Sequence, residues 1–162
     1  MIRVPAEVRR TFTLWAPPQA AFAFLSDVPR WAALFPGVER VVPLAPGPGG
    51  EEVWRWEMAP MGPPGAEVRT VYACSYTFNA EALRVTWEPV PGVGNAEFAG
   101  GGALAASGGR GTGGTAGELW LEASLEVPAP RFVAGVVRAA VGAAFGRMTD
   151  QFLARLRAEL AA

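Results

Sequence analysis

From Glu7 to Val127 most of the chain follows a period of two. In EVRRTFTLW, residues 7 to 15, Val8, Phe12 and Leu14 fall on one side and Arg9, Thr11 and Thr13 on the other, as in a half-buried strand. The same alternation predicts strands at about 38–44, 52–59, 66–78, 82–89, 96–106 and 115–127. Their separators, APGPGGE, PMGPPG, NAEA, PVPGVGN and SGGRGTGG, carry the Gly, Pro and Asn of hairpin loops. Seven strands in series with connections this short imply a mostly antiparallel, strongly curved sheet.

Two stretches depart from that period. In APPQAAFAFLSD, Pro17 and Pro18 suit a helix start, and Ala21, Phe22, Phe24 and Leu25 supply its apolar side. Asp27 can cap a second short helix, PRWAALF, which Pro36-Gly37 stops. The chain closes with PRFVAGVVRAAVGAAFGRMTDQFLARLRAEL, a helix of roughly 45 Å opened by Pro128 and Pro130. Phe145, Met148, Phe152 and Leu156 recur at helical spacing in its second half. Val133, Val137, Ala140, Val141 and Ala144 serve its first half on a face turned by about a quarter revolution. Gly135, Gly142 and Gly146 each cost about 1 kcal/mol relative to alanine. Close packing on the sheet, a bend at 142–146, or room for a ligand beneath the helix would explain them.

Several chemistries are excluded outright. The chain has no His, so it holds no Ser-His or Cys-His relay and no His-ligated metal, and a metal would rest on carboxylates alone. The single cysteine, Cys74, forms no internal disulfide and reads as a buried, inert thiol. A net charge of -1 argues against a nucleic-acid partner. With 162 residues, one domain is expected. No apolar run approaches the roughly 20 residues of a bilayer span, and Arg131, Arg138 and Arg147 interrupt the last helix, so no transmembrane segment is expected. The start, MIRVPAEVRRTF, lacks an apolar signal core, which makes a cytoplasmic location the expectation. No cofactor is indicated, and a monomer or weak homodimer is expected.

One motif invites a different reading. GRGTGG, Gly109 to Gly114, spells G-x-G-x-x-G, which holds a phosphate only where a strand enters and a helix leaves. Here TAGELWLEASLEV follows, with Leu119, Leu121, Ala123, Leu125 and Val127 alternating, so a strand leaves and the glycines read as a hairpin loop.

The alternation also sorts side chains by face. Trp54, Trp56 and Met58 share a side, as do Tyr72, Cys74, Tyr76 and Phe78, and Leu83, Val85 and Trp87. If these sides meet the long helix, Arg55, Glu57, Arg69, Arg84, Glu88, Glu118, Glu122 and Glu126 form the solvated exterior. The inward candidates for ligand binding are then Trp54, Trp56, Met58, Tyr72, Tyr76, Trp87, Phe98, Phe145, Met148 and Phe152. Arg10, in phase with Val8 and Phe12, either meets an anionic ligand group or reaches water at the strand end. Asp150 and Gln151 are expected on the exposed helix face. Trp120 lies between Glu118 and Glu122 on the outer face, where a bulge, a dimer contact or a wrong phase would account for it.

The order strand, two short helices, six strands and one long helix resembles the START/birch-pollen-allergen-like (SRPBCC) superfamily, in its polyketide cyclase/dehydrase-like branch or the branch similar to a subunit of carbon monoxide dehydrogenase. The resemblance rests on Phe22 to Asp27, Trp31, Pro36-Gly37-Val38 and GTGGTAGELWLE, within about residues 5 to 160. It implies an α+β helix-grip fold: a curved seven-stranded antiparallel sheet around a long C-terminal helix, with a cavity between them for a hydrophobic small molecule. It carries over no catalytic residue. Three functions follow as expectations. The first is binding or carriage of a lipid, isoprenoid quinone or polyketide-like aromatic. The second is an aromatase/cyclase acting on a poly-ketone, with Tyr72, Tyr76 and Arg10 as its polar groups. The third is a protein-interaction or assembly role.

Overall fold

Neighbouring strands pair antiparallel throughout a seven-stranded sheet, in which the first strand of the chain forms one edge beside the last, the second forms the other edge, and the strands between follow in chain order. The computed structural model describes residues 1–61, 64–65, 67–107 and 114–161. Along the chain the elements are β1 (Ile2–Leu14), α1 (Pro18–Leu25), α2 (Val28–Ala32), β2 (Val38–Pro43), β3 (Glu52–Met58), β4 (Val71–Asn79), β5 (Arg84–Pro89), β6 (Ala96–Ala106) and β7 (Thr115–Val127). A 3-10 turn, Arg131–Val133, then leads into α3 (Ala134–Glu159). The curved sheet and long terminal helix make this the α+β helix-grip fold.

Local chemistry sets the boundaries. Pro18 opens α1, and the Asp27 carboxylate accepts the Arg30 amide at 3.3 Å to cap α2, as the sequence predicts. Gly37 ends that segment at φ +83, a left-handed conformation that residues bearing a Cβ seldom adopt. β1 begins at Ile2, earlier than the alternation predicts, because β7 offers it a partner along its whole length, from Ile2 opposite Val127 to Leu14 opposite Thr115. β4 begins later than predicted, at Val71, after a bridge between Met61 and Val68. Of GRGTGG, Gly109 to Gly113 lie outside the described residues; Gly114 leads directly into β7.

The outer face answers the question of Trp120. The register of β7 is continuous through it on both sides, so there is no bulge. Its directly opposed partner in β6 is Gly101, where a Cβ would stand only 2.6 Å from the Trp120 ring. The indole lies over the space that glycine leaves, and the Arg84 guanidinium sits 4.9 Å from its centroid. The inner face has a counterpart: the Phe12 ring covers Gly117, its register partner. Ion pairs Arg3–Glu126, Arg9–Glu118, Arg40–Glu57 and Arg69–Glu39 dress the exterior.

α3 runs along β1 on the inner side. Thr149, Phe152, Leu153 and Leu156 bury its second half, while residues 134–144 are exposed or half-buried. Arg131–Glu159 is long and apolar enough to cross a membrane by length and composition, contrary to the sequence expectation, but its last turns are packed in the core. The glycine expectations are also corrected. A Cβ at Gly135 or Gly142 would meet nothing within 4 Å, so close packing does not require them, and neither lines the cavity described below. Of the three, only Gly146 is approached, by the Arg10 guanidinium at 3.3 Å from where its Cβ would lie.

Candidate functional site

A cavity lies between the concave face of the sheet, the two short helices and α3. The alternation of β3, β4 and β5 aims Trp56 and Met58, Tyr72, Cys74 and Tyr76, and Val85 and Trp87 into it. Phe98 of β6 and Phe145, Met148, Phe152 and Leu156 of α3 complete its far side. Phe12, Leu25, Trp31 and Phe35 also line it, and the alternation of the strands names none of them as site residues. Trp31 does leave a signal, because PRWAALF is a short capped helix and its largest ring must go inward.

Trp31 is the hub of the ring cluster. Its centroid lies 5.2 Å from Trp56, 6.0 Å from Trp87, and 6.1 Å from both Tyr76 and Phe152. Phe35 stacks on Phe152 at 4.6 Å, and Tyr72 stacks on Phe98 at 4.0 Å. Such tilted and offset contacts satisfy the ring quadrupoles and fix the rings against each other. The free space at the centre is about 70 Å³. That accommodates a few water molecules and falls short of the roughly 300 Å³ at the low end for small-molecule sites. A larger occupant therefore needs side chains to move. Leu25, Phe35, Phe145 and Met148 are half-buried, and Met61 is exposed, so the movable part of the wall is the part nearest solvent.

Polar groups in the wall are few and uncharged. The Trp56 indole N–H donates to the Tyr76 hydroxyl at 2.7 Å. The Cys74 thiol donates to the Phe98 carbonyl at 3.4 Å. Thr70 contributes a buried hydroxyl. The Trp31 indole N–H is buried without a partner, and among the described residues the Tyr72 hydroxyl makes no hydrogen bond either. Burial pushes the Cys74 thiol up to about 12, and it holds both tyrosines well above the usual phenol range. All three are neutral in ordinary buffers. The wall can therefore offer hydrogen bonds to an oxygen acceptor, but no described group in it is a carboxylate, a thiolate or a cation. Among the described residues no group of three or more Cys, Asp or Glu gathers to hold a metal ion.

Of the side chains singled out from sequence, two stand outside this wall. Trp54 shares the inner face of β3 but lies toward the start of the strand, half-buried, with its N–H donating to Glu52 at 3.1 Å. Arg10 faces α3, where its Nε meets Asp150 at 2.8 Å, so its charge is already matched by the protein. The sequence places Asp150 on the exposed face and gives it no partner. An i to i+140 contact leaves no local signal.

Comparisons with known proteins agree with this architecture. A family model described as polyketide cyclase/dehydrase and lipid transport matches residues 5–161. A Thermus thermophilus protein of solved structure superposes with a TM-score of 0.70 at 22% identity, over 96% of this chain and 97% of that one. The Zhui aromatase/cyclase of a Streptomyces species gives 0.69 at 17% identity, over 97% and 94%. A START superfamily protein of Mycobacterium smegmatis gives 0.65 at 15% identity, over 96% and 97%. At these identities the likeness is one of fold. No curated protein sequence matches the chain.

Proposed function

The chain belongs to the polyketide cyclase/dehydrase and lipid transport family, and we propose that its cavity binds or carries a hydrophobic small molecule such as a lipid, an isoprenoid quinone or a polyketide-like aromatic. The observation that carries this reading is the wall itself: among the described residues that line the cavity, none bears a charge, and aromatic rings and methionines predominate. A neutral, flat or flexible apolar molecule suits such a wall, because it surrenders little hydration and meets polarisable surface on all sides. An ionised headgroup does not suit it, since a buried charge needs a partner. The Trp31 N–H and the Tyr72 hydroxyl fit one or two oxygen acceptors on the same molecule. Entry proceeds by rotation of Met61, Phe35, Phe145 and Met148, which enlarges the small free volume.

Native mass spectrometry of freshly purified protein tests this. The expected result is a co-purifying apolar mass that Trp87→Ala or Phe152→Ala releases while the far-ultraviolet circular dichroism is retained. A protein that binds no apolar molecule, from the host or added in vitro, would sink the reading.

A second reading, a cyclase, draws on the unpartnered Tyr72 hydroxyl and Trp31 N–H. Donors of that kind polarise a ketone by stabilising charge on its oxygen. Tyr72→Phe would then lower kcat on a poly-ketone by about tenfold or more with KM nearly unchanged. Equal loss of binding and turnover would return the hydroxyl to simple recognition.

A further inference from the structure

The first half of α3 and the turn before it present a surface that the cavity does not explain. Phe132 is 88% exposed and Val136 is 74% exposed, so the first is nearly as open to water as in an unfolded chain. Ala139, Ala140 and Ala143 continue the same outward side, all exposed. From Val127 to Thr149 the sequence holds Arg131, Arg138 and Arg147 and no acidic residue, a local excess of +3 in a chain whose net charge is -1. All three arginines are exposed, and none of them forms an ion pair within the described structure. Elsewhere on the exterior, Arg3, Arg9, Arg40 and Arg69 are each matched to a carboxylate, and Arg30 and Arg84 lie over aromatic rings.

We infer that this face docks on an anionic lipid bilayer. An apolar strip with exposed Phe and Val, flanked by unmatched arginines, supplies the two signals that interfacial helices combine: apolar burial at the acyl boundary and attraction to anionic headgroups. Length separates this from a membrane span. The exposed stretch, residues 131–143, rises about 20 Å, short of the roughly 30 Å hydrocarbon core. Beyond it Thr149, Phe152, Leu153 and Leu156 are held in the protein interior and cannot leave without unfolding the helix from the sheet. The helix therefore lies on the surface. Phe145 and Met148, on the turns that follow, belong to the cavity wall, so docking brings that wall close to the bilayer. The inference stands on the exposed face alone and does not require the cavity to be loaded.

The test is sedimentation of the full chain with vesicles of about 70% phosphatidylcholine and 30% phosphatidylglycerol, against pure phosphatidylcholine, at low salt. Binding to the anionic vesicles only is expected. Phe132→Ser with Val136→Ser should reduce the bound fraction about tenfold, and Arg131→Gln with Arg138→Gln and Arg147→Gln should remove the difference between the two lipids. Neither set should alter thermal unfolding. A polarity-sensitive dye on Val136→Cys, with Cys74 buried out of reach, should shift blue on the anionic vesicles. Three outcomes would overturn the inference: no binding of the unaltered protein, binding indifferent to both sets of substitutions, or no dye shift. A fourth would reassign the face to a second copy of the chain: a concentration-dependent dimer that Phe132→Ser and Val136→Ser abolish while vesicle binding is unchanged.

Discussion

The two halves of α3 both carry many apolar residues and do opposite things. From Phe145 to Leu156 the helix turns its large side chains to the sheet, and Leu156 has no exposure at all. From Ala134 to Ala144 it is dominated by Ala, Val and Gly, yet nothing large is buried and two glycines face open space. Apolar composition therefore does not reveal which half holds the protein together. The side-chain volume set against β1 and the cavity does.

That contrast can be broken by experiment, beginning with its strongest term. Leu156→Ala should cost about 2–5 kcal/mol in chemical denaturation, because a fully buried leucine leaves a cavity the helix cannot close. A loss below about 1 kcal/mol would place the second half outside the core. Next comes alkaline pH, which tests whether the wall facing that half is dry. The folded Cys74 thiol keeps its proton to about 12, whereas the unfolded thiol titrates near 9.0. The folded state thus binds the proton more tightly, and this part of the stability is full below pH 9 and falls as pH rises toward 12. Denaturation series at about pH 8 to 10 should slope downward by up to about 1.4 kcal/mol per pH unit, and Cys74→Val should flatten the slope.

The first half of the helix should respond in the opposite sense. Gly142→Ala and Gly135→Ala should each raise stability by up to about 1 kcal/mol, since a Cβ there meets no neighbour and alanine favours the helix. A destabilising result would mean that a Cβ there does meet a neighbour within the chain, and the contrast between the halves would fail. The smallest effect is expected at the face itself. Phe132→Ser should change folding stability by no more than about 0.5 kcal/mol, which is what separates a docking residue from a core residue.

The same contrast explains what can be read from sequence. Period-two segments with Trp, Tyr and Phe on one side declare their own faces, so Trp56, Tyr72, Tyr76 and Trp87 are legible as a group. Phe152 and Leu156 are legible because large residues at helical spacing have one physical outcome in a core. The first half of α3 misleads for the complementary reason: with small residues on every side, periodicity assigns no face, and Val133, Val137, Ala140, Val141 and Ala144 read as a buried stripe. Most of these are only half-buried, and Ala140 is exposed. Trp54 lies one alternation too near the strand end to reach the wall, a matter of sheet length that the alternation does not encode. The pairing of Arg10 with Asp150 is invisible because it depends on where two distant elements come to rest.

The ring cluster around Trp31 has an optical consequence. Trp56 and Trp87 both stand within about van der Waals reach of Trp31, 5.2 and 6.0 Å between centroids. Excitation absorbed by any of the three is shared among them and emitted from a common environment. The molecule thus carries a built-in reporter at its centre: whatever parts those indoles changes the colour and brightness of their share of the emission, over a background from Trp15, Trp54 and Trp120, with no label added.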